Sequence, residues 1–217
     1  MKNIAVILSG CGVKDGSEIH EATLLLLAID KLGAKYTVFA PNISFNAVNH
    51  LTGIETDEKR NVIVESARIA RGDIHDLITF DASEFDALIL PGGFGAAKNL
   101  STYAIDGANM EVNKDVAKAI VSMHELHKPI GALCIAPVVI ASVIGTGVNV
   151  TIGNDAYTAK DIEELGGTHK VAQETDVVID TKNNVYTSPC YMLATHISQV
   201  YAGIENLVKS ILESLKN

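Results

Sequence analysis

The chain has 217 residues, 47% hydrophobic and 20% charged, a balance that fits one α/β domain over residues 1–217 better than two very small ones and leaves no disordered majority. A formal charge of −9 with no basic run argues against nucleic acid and anionic membrane as partners, because both need a basic face. No stretch approaches the roughly 18 consecutive apolar residues of a membrane span, and the 3 cysteines lack the CxxC spacing of a zinc knuckle or a disulfide framework.

Ile4 to Ser9 reads as the first strand, with no charged segment, long apolar stretch or cleavage site of an export signal ahead of it, so a cytoplasmic setting with free thiols is expected. A helix over Glu18 to Leu32 and a strand over Tyr36 to Ala40 complete a β-α-β opening, which implies a parallel sheet. The polar connection from Pro41 to Thr56 has room for a small insertion. Further helices are expected over Asn61 to Arg71, Asn113 to His127, a short stretch after Cys134, and a long amphipathic run from Met192 to Leu215. Strands are expected over Ala87 to Leu90, Ile130 to Leu133, Val177 to Asp180 and Val185 to Thr187. The turn Lys182-Asn183-Asn184 makes a hairpin of the last two. The first strand and Ile130 to Leu133 are solidly apolar, as strands buried on both faces near a sheet centre are. The fold class is therefore α/β, a mostly parallel central sheet with helices on both faces.

Chemistry concentrates where strands end. Cys134 closes an apolar strand and precedes Ile135-Ala136-Pro137, where a helix can start with proline in its first turn. A thiol at such a turn stands above the carboxyl edge of the sheet beside a helix N-terminus, which favours thiolate. Pro91-Gly92-Gly93-Phe94 leaves the strand Ala87 to Leu90 at the same edge, and its adjacent glycines let backbone N–H groups approach a substrate closely. The N–H groups of Gly93 and Ile135 are placed to converge on one oxyanion, with Gly92 beside them. Glu21 falls on the same helical face as the apolar Leu24, Leu25 and Ala28, so it should be buried, with its pKa raised and a proton to donate to sulfur and then shuttle. Glu18, three residues after Asp15, has the spacing of a helix-capping pair.

His20 adjoins the two glutamates, and His169, before the terminal hairpin, is a further candidate for the pocket. Cys190 reads either as a second pocket thiol or as a helix-start residue. Cys11 lies in Gly10-Cys11-Gly12, which invites a dinucleotide reading. That reading fails, because the next glycine is Gly16 and the second strand ends in Ala40-Pro41-Asn42 with no acidic residue for a ribose.

Taken with Ile7-Leu8-Ser9-Gly10-Cys11-Gly12-Val13, Asp15-Gly16-Ser17-Glu18-Ile19-His20-Glu21, Pro91-Gly92-Gly93-Phe94-Gly95-Ala96, Cys134-Ile135-Ala136-Pro137 and Ser188-Pro189-Cys190-Tyr191-Met192, the chain resembles the enhancing-lycopene-biosynthesis protein group almost end to end. That group belongs to the PfpI-like superfamily, whose fold is class I glutamine amidotransferase-like. The resemblance implies a flavodoxin-like three-layer sandwich, a homodimer, and no metal or other cofactor. It also implies Cys134 as nucleophile, Glu21 as the carboxylate facing it, and Gly93 and Ile135 as amide donors. The activity it implies is weak, glutathione-independent conversion of a small 2-oxoaldehyde such as glyoxal or methylglyoxal to a hydroxy acid, through chemistry also read as deglycation. The alternatives are a redox-sensing or partner-binding role for Cys134, or glutamine hydrolysis. The last is opposed by Ile135 standing where the superfamily's peptidases carry a histidine.

Overall fold

The computed structural model describes residues 1–216. The strand β1 (Asn3–Ile7) is buried from Ile4 onward, and α1 (Ile19–Lys31) returns the chain to β2 (Lys35–Ala40), parallel to it with Val6 opposite Val38. Between Pro41 and Asn61 the chain is not a loose connection. It folds into an antiparallel hairpin of β3 (Ser44–Asn49) and β4 (Ile54–Asn61), separate from the main sheet. The helix that follows, α2 (Val62–Ile69), is capped by the Asn61 side chain, which accepts from the N–H groups of Ile63 and Val64. After the short β5 (His75–Asp76) comes β6 (Ala87–Leu90), and then two small helices, α3 (Phe94–Lys98) and α4 (Tyr103–Asp106).

The second half alternates similarly: α5 (Lys114–Glu125), β7 (Ile130–Leu133), α6 (Pro137–Ile144), β8 (Asn149–Val150), α7 (Ala156–Glu164), β9 (Thr168–His169), β10 (Val178–Asp180), β11 (Val185–Ser188) and α8 (Ile197–Ser214). The last helix starts later than its amphipathic pattern suggests, because Cys190–Met192 form a separate 3-10 turn ahead of it.

The main sheet has 7 strands in the order β10-β11-β7-β6-β1-β2-β5, and every pairing is parallel except that of β10 with β11. The apolar strands β1, β6 and β7 occupy its middle, with β6 and β7 buried at every position. Helices α5 and α6 cover one face through Ile120, Met123 and Val139, and α1 and α8 cover the other through Leu25, Ile29, Ile204 and Leu207. Burying each such side chain contributes about 1.5–3 kcal/mol. The Lys128 ammonium anchors the approach to β7, donating to the carbonyls of Ala82 and Phe85 at 2.7 and 2.6 Å.

From β1 the chain crosses to β2 on one side and later returns to β6 on the other. The strand order therefore reverses between β1 and β6, and the crevice at their carboxyl ends is where open α/β sheets bind ligands.

Candidate active site

The carboxyl ends of β1, β6 and β7 deliver the Ser9–Glu18 loop, the Pro91–Gly93 loop and Cys134 to one crevice. Cys134 has φ 57, the left-handed region, which costs a non-glycine residue about 1–2 kcal/mol. Two features impose that turn: its N–H donates to the Ser188 carbonyl at 3.0 Å, prolonging the pairing of β7 with β11, and α6 begins three residues later at Pro137. The side chain thereby leaves the sheet and forms part of the wall of a cavity of about 380 Å³, with Val13, Phe94, Ile135 and Met192 among its neighbours.

Glu21, in the first turn of α1, is wholly buried. Its Oε2 accepts from the Gly92 N–H at 2.9 Å and its Oε1 from the Tyr191 N–H at 3.1 Å, and the carboxyl lies against the Cys134 thiol, both flanking Gly92. Burial, reinforced by the charge of Glu18, pushes the Glu21 carboxyl up to about 7 against the pull of these donors, so both protonation states are accessible near neutrality.

The N–H groups of Gly93 and Ile135, expected from the sequence to converge on a substrate oxyanion, act here on the Cys134 sulfur, where each favours the thiolate. The helix start does not leave a thiolate there, however. Burial and the neighbouring Glu21 carboxylate push the Cys134 thiol well above its ordinary value, and the two amide donors offset only part of this. The resting form is a thiol beside a carboxyl that can take its proton.

Both glycines are sterically required. A Cβ on Gly92 would lie 2.4 Å from the Cys134 Cβ and 2.7 Å from the Glu21 Oε2. Gly93 has φ 100, and a Cβ there would sit 2.4 Å from the Glu18 backbone nitrogen.

The remaining candidates divide. Glu18 lines the cavity and is itself the N-cap of α1, its Oε2 accepting from the Glu21 N–H at 2.7 Å. The expected capping pair with Asp15 does not form, because the Asp15 carboxylate is drawn to the hairpin and accepts from the Val48 N–H at 2.7 Å. His20 is exposed, with its Nδ1 2.7 Å from the Tyr191 hydroxyl, and does not line the cavity. Cys190 is wholly buried at the start of its 3-10 turn, its Sγ 4.0 Å from the Ser188 Oγ and its thiol pushed up by burial and by the charge of Glu21. Cys11 is half-buried near Glu65 and Arg68, and His169, on β9, accepts from the Ile152 N–H; neither lines the cavity. Tyr103, Thr158 and Tyr191 do line it, and sequence reasoning did not single them out. Tyr103 and Thr158 arrive on α4 and α7, short helices without an apolar stripe long enough to read. Tyr191 stands in the quoted motif beside Cys190. Among the described residues no group of three or more His, Cys, Asp or Glu side chains is arranged to hold a metal ion, and no helix is long and apolar enough to cross a membrane.

A cysteine on a strained strand-to-helix turn, faced by a buried carboxyl at the switch point of a mostly parallel sheet, defines an amidotransferase-like α/β protein. No family model matches the chain. A human protein described as glutamine amidotransferase-like class 1 domain-containing protein 3, mitochondrial, is 44% identical over 221 residues, spanning 97% of this chain and 82% of that protein. The crystal structure of an isoprenoid biosynthesis protein with an amidotransferase-like domain from Ehrlichia chaffeensis is 37% identical and superposes with a TM-score of 0.93 over 99% of this chain and 100% of that one. A DJ-1 superfamily protein from Agrobacterium tumefaciens shares the fold at 17% identity, with a TM-score of 0.59 over 100% of this chain and 90% of that one. The chain belongs to the glutamine amidotransferase-like class 1 family.

Proposed function

We propose that this protein is a cysteine-dependent, glutathione-independent glyoxalase-type enzyme of the enhancing-lycopene-biosynthesis subgroup, converting glyoxal or methylglyoxal to a hydroxy acid. The observation that carries the reading is the Cys134 thiol set beside a wholly buried Glu21 carboxyl that the Gly92 and Tyr191 N–H groups hold in place and whose pKa is raised to about 7. A carboxylate of that strength accepts the thiol proton as sulfur attacks the aldehyde carbon, and the resulting hemithioacetal forms beside the Gly93 and Ile135 N–H groups. Glu21 passes the thiol proton to the alkoxide oxygen and so regains its carboxylate form, then takes the hydrogen of the sulfur-bearing carbon and delivers it to the neighbouring carbon while the hydroxyl proton moves to the neighbouring oxygen, which leaves a thioester of the hydroxy acid. Water cleaves the thioester, releasing glycolate or lactate and restoring the Cys134 thiol. Deglycation would converge on the same intermediate: the adduct carbon passes to the Cys134 sulfur as its bond to the amine or thiol breaks and that group leaves with a proton, and the hemithioacetal then proceeds as above.

Glutamine hydrolysis is disfavoured by the site. The cavity lining holds no histidine to serve as the general base and no cation to pair with the amino acid's carboxylate.

The test is direct measurement of hydroxy-acid product from glyoxal and methylglyoxal with metal-free, glutathione-free protein. Cys134→Ala should form none, and Glu21→Gln should fall by about 10²-fold or more. Product formation by Cys134→Ala at the wild-type rate would overturn the proposal.

A further inference from the structure

The cavity above Cys134 is lined by three aromatic side chains, Phe94, Tyr103 and Tyr191. Both tyrosine hydroxyls are engaged away from it: Tyr103 donates to the Asp161 carboxylate at 2.8 Å, and the Tyr191 oxygen pairs with the His20 Nδ1 at 2.7 Å. Asp161 and His20 do not line the cavity, so what the two tyrosines present to it is chiefly ring carbon. Phe94 adds a third ring, half exposed, at the start of α3 directly after Gly92 and Gly93.

Charge and size narrow the occupant further. Glu18 is the only charged side chain in the lining, and Glu21 lies behind the thiol, so an anionic substrate would meet repulsion and no partner. A volume of about 380 Å³ falls within the range of sites that enclose drug-sized molecules, roughly 300–1,000 Å³. A two- or three-carbon dicarbonyl would leave most of it as water against apolar walls.

We infer that the site is built for an uncharged 2-oxoaldehyde carrying an aromatic or comparably broad apolar group, its aldehyde carbon at Cys134 and its ring among Phe94, Tyr103 and Tyr191. This rests on the carbonyl-processing reading above and names the substrate class within it. The conversion takes up one water and needs no external oxidant: the aldehyde carbon becomes the carboxylate while the neighbouring ketone carbon is reduced to the alcohol.

Steady-state kinetics with phenylglyoxal and methylglyoxal, following mandelate and lactate directly, test the inference. Phenylglyoxal should show kcat/KM about tenfold or more above methylglyoxal, because its ring buries apolar surface that the methyl group cannot. Ala104→Phe, which adds a ring at an exposed position of the cavity rim, should lower the ratio of the two values about fivefold or more. Methylglyoxal turned over as well as phenylglyoxal, or a ratio unmoved by Ala104→Phe, would overturn the substrate class while leaving the carbonyl chemistry standing. Hydroxy acid from neither substrate would defeat the chemistry and the substrate class together.

Discussion

Replacing Gly92 by alanine tests the geometry of the site independently of any substrate. The added Cβ would meet the Cys134 Cβ at 2.4 Å, the Glu21 Oε2 at 2.7 Å and the Cys134 Sγ at 3.0 Å, whereas ordinary contact begins near 3.4 Å. About 1 Å of space must therefore open between the loop after β6 and the cysteine turn, which the pairing of β6 with β7 resists. Overpacking of this kind costs about 1–3 kcal/mol. At this chain length, a cost of about 2 kcal/mol lowers the melting temperature by about 4–8 °C. A misplacement of about 1 Å between the thiol and Glu21 should also reduce hydroxy-acid formation about 10²-fold. Two of the three short contacts are with Cys134, so a double-mutant cycle separates them from the rest. In a Cys134→Gly background, the stability cost of Gly92→Ala should shrink by about 1 kcal/mol or more. An equal loss in both backgrounds, or a Gly92→Ala protein that melts like wild type, would refute the steric argument.

The Glu21 carboxyl makes stability depend on pH with a definite sign. Its pKa is raised from 4.5 to about 7 in the fold, so its favourable contribution is complete below about pH 4.5 and is lost as pH rises through about 7, a change of about 3 kcal/mol. Urea unfolding between pH 4.5 and 8 should therefore show wild type losing that amount relative to Glu21→Gln, and parallel profiles would refute it. Because the proposed base is the ionised form, hydroxy-acid formation should rise over the same interval; a rate that falls through pH 7 would contradict the role given to Glu21. Lys128→Met removes a charged donor from the carbonyls of Ala82 and Phe85 and should cost about 2 kcal/mol in denaturant unfolding. An unchanged midpoint would show that the ammonium is not anchoring that turn.

The middle of the fold was legible because burial on both faces leaves a simple trace. Ala87–Leu90 and Ile130–Leu133 are uninterrupted apolar runs, and their bounds in the structure are those read from the sequence. Glu21 was legible for the complementary reason, a carboxylate on an otherwise apolar helical face. The β3–β4 hairpin was not, because β4 is mostly exposed and polar and so carries no inside-outside alternation. Strands as short as Asn149–Val150 and Thr168–His169 cannot display a period at all. Asp15 misled because its spacing to Glu18 suits a capping pair, while its carboxylate is claimed by Val48, 33 residues away in the hairpin. The thiolate expectation at Cys134 misled for a related reason: a helix start is visible in sequence, but the Glu21 charge and the depth of burial that outweigh it are properties of the assembled site.

The two backbone donors that hold Glu21 come from chain segments 71 and 170 residues further along. One short side chain thus ties together an early helix, the loop after the central strand and the turn after the last strand. During synthesis, the Tyr191 contact cannot form until the segment after β11 has left the ribosome, and both loop closures must precede a properly seated acid–thiol pair. Completion of the pocket in this way waits on the segment that follows β11, and a fragment ending before β11 would carry Cys134 beside a Glu21 that lacks one of its two backbone donors.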